Sequence, residues 1–103
     1  MTAPWVGMVH VRPIRGADPL NGGRGAYSNI LALANDAESY KAAVLGEMGR
    51  QGLAVVEFAE IDTVQNYLAE GRIGGELEEL EALLSNDNPV QYRTFDAYFS
   101  DDA

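Results

Sequence analysis

Cysteine is absent from this 103-residue chain, which excludes disulfide staples and thiolate-held metals. No run approaches the ~18 apolar residues of a membrane span, and no basic start leads into an apolar stretch, so neither a span nor a secretory signal is expected. Without cysteine or a targeting segment, the expected setting is the cytoplasm. Positive charge is scarce as well. Sixteen acids against seven bases give a net charge of −9, which argues against binding nucleic acid through its phosphates. Bulky side chains are also few, because 14 alanines and 11 glycines thin the supply. What remains suffices for one small domain over residues 1–103 and not for two.

The charge that is present is divided unevenly. From Met1 to Val56, five bases (Arg12, Arg15, Arg24, Lys41, Arg50) face four acids, a balance of +1. From Glu57 to Ala103, twelve acids face only Arg72 and Arg93, a balance of −10.

Along the chain, Trp5 to Ile14 is β-branched, aromatic and bounded by prolines, the pattern of a strand whose pairing ends at Pro13. Arg15 to Gly25 is a glycine-rich loop. Ala26 to Ala34 predicts a second strand, apolar on both sides and so inside the sheet. Asn35-Asp-Ala-Glu38 is a capping-box pattern. It opens a helix with Tyr40, Val44, Leu45 and Met48 on its apolar stripe, closed by Gly52. Gly46 and Gly49 on that helix imply a tight helix–sheet contact. Leu53 to Ile61 is the strongest strand, centred on Val55, Val56 and Phe58. Asp62-Thr-Val-Gln65 caps a short helix ending at Gly71, and Glu76 to Asn86 predicts a third helix with Leu77, Leu80, Leu83 and Leu84 inward. A turn at Asn86-Asp-Asn-Pro89 leads to a last strand over Val90 to Phe99. An acidic frayed tail follows over 99–103.

This pattern predicts an α+β domain: a single four-stranded, mostly antiparallel sheet with helices mainly on one face, in the order β-β-α-β-α-α-β. The layout resembles the ferredoxin-like sandwich, with an extra leading strand and a shuffled order. That is a likeness of architecture, and architecture alone assigns no function.

The chain is poor in catalytic parts. His10, its single histidine, sits in the first strand, where a strand histidine held by a neighbour outweighs a general base or pH switch. Neither Ser28, Ser39, Ser85 nor Ser100 lies in a Gly-x-Ser-x-Gly elbow. A metal would have to be held by carboxylates alone. Glu76, Glu78, Glu79 and Glu81 instead fan across a solvated helix face, and Glu57 and Glu60 point to opposite sides of a strand. No metal or cofactor is therefore expected. The loop Asn21-Gly-Gly-Arg-Gly25 leads into a strand, unlike phosphate loops that lead into a helix. Arg12, Arg15, Arg24 and His10 remain as contacts for an anion or small ligand. In the last strand, Tyr92 and Tyr98 share one side while Phe95 and Phe99 share the other, packed in the core or against a second subunit.

These features point to a small acidic, non-enzymatic protein that docks on a basic protein partner through Glu76, Glu78, Glu79, Glu81 and Asp87. In size and charge it is similar to immunity proteins and inhibitors that plug a toxin or nuclease. A small-molecule-binding regulatory domain, or a cofactor-free ferredoxin-like dimeric enzyme, is the alternative. The thin core and the late aromatics also predict a homodimer.

Overall fold

Strand β1 (Ala3–Pro13) organises the fold because it pairs on both edges. In this computed structural model, which describes residues 2–16, 19–20, 22–71, 75–92 and 95–99 (side chains of 75–77 excepted), β1 lies between β2 (Gly25–Ala34) and β3 (Leu53–Thr63), antiparallel to each. β2 and β3 therefore run parallel, and helix α1 (Ala37–Arg50) connects them past β1. Helices α2 (Val64–Ala69) and α3 (Gly75–Leu83) follow β3. Strands β4 (Val90–Gln91) and β5 (Asp96–Tyr98) then add to the free edge of β2. The sheet is antiparallel throughout, with five strands rather than four.

Strand alternation assigns the two faces. One face carries Trp5, Val9 and Val11 of β1 with Ala26, Ile30 and Ala32 of β2, and it packs on Tyr40, Val44 and Met48 of α1. The opposite face carries Val6 and Leu31, which meet Val64 and Tyr67 of α2 and Leu80 of α3. The helices are thus divided between the faces, not gathered on one. Val6 and Leu31 are register partners, so a fully apolar end of the second face had to be covered as well.

Tyr40 fastens α1 to the sheet. Its buried hydroxyl donates to the Ile30 carbonyl at 2.7 Å and approaches the Gly7 carbonyl at 3.5 Å. A Cβ on Gly7 would stand 3.1 Å from that hydroxyl and 3.0 Å from Ile61 Cγ1, so glycine is what lets the phenol reach the strand. Burial, and then the nearby Tyr67, push the Tyr40 phenol far above the usual tyrosine range.

Three details of α1 differ from expectation. Its N-cap is Asp36, one residue later than the Asn35 pattern, and Asp36 accepts from the Ser39 amide at 2.8 Å. That charge-assisted bond holds the Asp36 carboxyl below its ordinary range. Leu45 lies off the inner stripe, 51% exposed. Gly46 and Gly49 make no tight contact: a Cβ at Gly49 meets open space, and one at Gly46 meets only the Arg50 guanidinium at 3.8 Å.

β3 is bulged twice against β1, at Val56 and near Glu60. Glu60 takes φ 55°, a left-handed conformation that costs a non-glycine residue about 1–2 kcal/mol. The Tyr67 hydroxyl donates to the Glu60 carbonyl and ties α2 to that bulge. Such bulges suit an edge strand, where they disfavour pairing with another chain.

The expected last strand is broken. Between the Leu31–Gln91 pair and the Tyr27–Asp96 pair, the later segment has one residue more than β2. The extra residue reverses the alternation. Phe95 consequently joins Tyr92 over the α1-side core, ring centroids 5.3 Å apart, instead of facing away from it. Phe99 is 65% exposed, and the tail from Ser100 onward lies outside the described residues. Among the described residues, no helix is long and apolar enough to cross a membrane.

Candidate functional site

Helices α2 and α3 cover only one end of the second face. At the other end the register lines up Glu57, His10, Tyr27 and Asp96 as successive partners across β3, β1, β2 and β5. Direct cross-strand partners share a face, so these four form one row running across the strands. The His10 and Tyr27 rings stack, with centroids 4.4 Å apart and planes 14° from parallel. His10 Nε2 and the Tyr98 hydroxyl share a hydrogen bond of 2.7 Å. Tyr27 and Tyr98 lie 6.1 Å apart between centroids, so the three rings form one aromatic cluster. Tyr27 stays 40% exposed and Met8 beside it 39% exposed.

Gly25 makes this cluster possible. It is the register partner of Tyr98, and a Cβ there would collide with the hydroxyl end of the Tyr98 side chain. The ring lies across the bare backbone and so reaches His10. The last glycine of the Asn21–Gly25 loop thus has a steric role, admitting the Tyr98 side chain. Beside the cluster is a shallow depression of about 30 Å³, lined by Met8, His10, Tyr27, Glu57 and Ala59. That volume admits a water or a single protruding group, and falls far below the ~300 Å³ where ligand pockets begin.

The arginines paired with His10 in the sequence are only partly brought together. Arg12 is exposed on the same face of β1 as His10. Arg15 is exposed in the turn after β1, and Arg24 is exposed just before β2, its backbone N–H donating to the Tyr98 carbonyl at 2.8 Å. None of the three lines the depression at His10.

The acidic residues behave differently. On α3, Glu78 and Glu79 are exposed while Leu80 is 3% exposed and Leu84 packs beside it, so the apolar stripe does turn those carboxylates outward. Glu81 is half-buried and borders a cleft of about 330 Å³ shared with Pro4, Val64 and Leu68. Asp87 is exposed in the Ser85–Asn88 turn. The side chains of Glu76 and Leu77 lie outside the described residues. Leu83, expected inward, is 54% exposed. On α1, acids are matched by bases: Glu38 with Lys41 at 3.7 Å and Glu47 with Arg50 at 2.7 Å. The Tyr92 hydroxyl also reaches Glu47 at 3.4 Å. Burial first, then the Glu47 charge, raises that phenol above its ordinary range. Among the described residues, no group of three or more histidines, aspartates and glutamates is placed to hold a metal ion.

Residue spacing alone did not reveal the His10–Tyr98 contact, which joins positions 88 apart. Only the strand register brings them together. No protein-family model, curated protein or solved structure matches this chain.

Proposed function

We propose that the protein is a small acidic, non-enzymatic interaction module of the immunity or inhibitor type, acting in the cytoplasm by docking on a basic protein partner. The observation that carries this is the outward presentation of Glu78 and Glu79 over a buried Leu80, in a half of the chain with a balance of −10. The proposed docking surface also includes Glu81 and Asp87, together with Glu76, whose side chain lies outside the described residues. Exposed charge of one sign speeds encounter with a cationic surface, and it is screened beyond about 8 Å at physiological ionic strength. Capture of a basic partner from native extract should therefore weaken as salt rises. Reversing both charges, Glu78→Lys with Glu79→Lys, should leave the fold intact and weaken capture by roughly tenfold. A folded double variant with unchanged affinity and salt dependence refutes the proposal.

The cleft bordered by Pro4, Val64, Leu68 and Glu81 supports a second reading, a domain that binds a small, largely apolar molecule. It lies away from Arg12, Arg15 and Arg24, so the ligand would not be the anion those residues suggest. Self-association into a homodimer finds support in exposed Val56 and Phe99, but a charge of −9 on each copy opposes it.

A further inference from the structure

We propose that the open end of the second sheet face is the surface on which an extended basic segment of the partner docks, with the Tyr27–His10–Tyr98 cluster as its centre. This rests on the reading that the partner is a basic protein, and it adds a second contact to the one at α3: on the open end of the sheet. The row Glu57–His10–Tyr27–Asp96 places an exposed carboxylate at each end of an aromatic stack. Three interstrand steps of about 4.8 Å separate the end positions by ~14 Å. Four residues of extended chain, at about 3.4 Å each, cover the same span. A segment laid across the strands with arginine or lysine at positions i and i+4 therefore meets Glu57 and Asp96 together, and its side chain at i+2 falls over Tyr27 and His10.

The centre suits such an anchor. The Tyr27 ring is backed by His10, and the hydrogen bond shared by His10 and Tyr98 braces the stack, so little side-chain freedom is lost on binding. Tyrosine is favoured at the centres of interfaces for that reason. The depression lined by Met8 and Glu57 takes one protruding group. A second copy of the chain fits this face poorly, because it would bring its own Glu57 and Asp96 against those of the first. Arg12, exposed on the same face two residues along β1 from His10, has an interaction partner within the chain.

The probe is an acetylated glycine–serine peptide carrying two arginines four residues apart and a leucine midway between them. Titrated into the isotope-labelled protein, it should shift the resonances of His10, Tyr27, Tyr98 and Glu57. Glu57→Gln with Asp96→Asn should weaken it at least tenfold, as should Tyr27→Leu, each with an otherwise native spectrum. A peptide with citrulline in place of arginine should bind at least tenfold more weakly. Equal binding of the citrulline peptide overturns the proposal. Shifts confined to Glu78, Glu79 and Asp87 overturn it while leaving the acidic interaction module standing. No shifts at any site, together with a charge-reversed α3 that keeps full partner capture, overturn both. Sheet-face shifts that follow protein concentration without peptide assign the surface to a second copy, and so also overturn it.

Discussion

The two faces of the sheet are built from the same strands and finished differently. Under α1, Val9, Val11, Ile30, Tyr40, Val44 and Met48 are all fully buried, and the sole tyrosine hydroxyl among them is bonded. On the opposite face, Val6 and Leu31 are sealed by α2 and α3, while a few residues along the same strands Met8 and Tyr27 remain open. The contrast separates stability from recognition. The first face is closed by α1 over its centre, with Trp5, Val55 and Phe58 half-buried around it, whereas the second stops being core after one end and continues as an aromatic and acidic surface. A chain this rich in alanine and glycine covers the centre of one face and only one end of the other.

The largest effect should come from cutting the closed face. Ile30→Ala removes a fully buried side chain and should cost about 2–5 kcal/mol. Met8→Ala on the open face should change stability by no more than about 0.5 kcal/mol. Urea unfolding of the two variants measures the difference directly. Comparable losses would mean that the open face is covered, by a second copy or another part of the chain, and the contrast would fail.

A smaller effect, with a distinct pH signature, belongs to Tyr40. Tyr40→Phe leaves the Ile30 carbonyl without the phenol and should cost about 1 kcal/mol at neutral pH. Because folding raises the phenol's pKa, the stabilising contribution is fully present below the ordinary tyrosine value near 10. It declines as pH rises past that value, since the unfolded chain releases a proton that the folded one retains. Tyr92 adds a weaker contribution of the same sign. Denaturation midpoints between pH 8 and ~11 should therefore fall less steeply in Tyr40→Phe than in the parent. Parallel curves would show that the Tyr40 hydroxyl is not held as described.

What was legible in the sequence is what local patterns encode. The three long strands, α1 and the left-handed turns at Gly52 and Gly71 were all marked by β-branched runs, caps and glycine, with the caps displaced by one residue. Alternation showed that β2 is apolar on both sides, but not which helices cover each side, because period 2 gives sides and not layers. The break in the last strand was hidden for a related reason: a single extra residue reverses the side of every residue beyond it, and only pairing with β2 reveals it. The outward placement of Glu78 and Glu79 on α3 was legible because helical spacing sets it, while Glu81, expected beside them, turns half-buried toward the cleft at Pro4 and Leu68. The His10–Tyr27–Tyr98 cluster was not, since it depends on the register of three strands and on the missing side chain of Gly25.

The one stabilising effect is on α1, whose two sides repeat the contrast between the faces. Its inner stripe, Tyr40, Val44 and Met48, is fully buried, while Gly46 and Gly49 sit on the outer side. Glycine within a helix costs roughly 0.5–1 kcal/mol relative to alanine, mainly because the unfolded chain is freer. Neither residue has a positive φ, and neither has a close neighbour that an added methyl would displace. Gly46→Ala and Gly49→Ala should therefore each stabilise the protein by about 0.5–1 kcal/mol, and the two gains should add, since neither methyl meets the core. Thermal unfolding of the single and double variants tests this. A loss of stability at either position would mean that α1 packs something against its outer side. That side would then be a covered surface, and the exposed Leu45 between the stripes would mark where the cover lies.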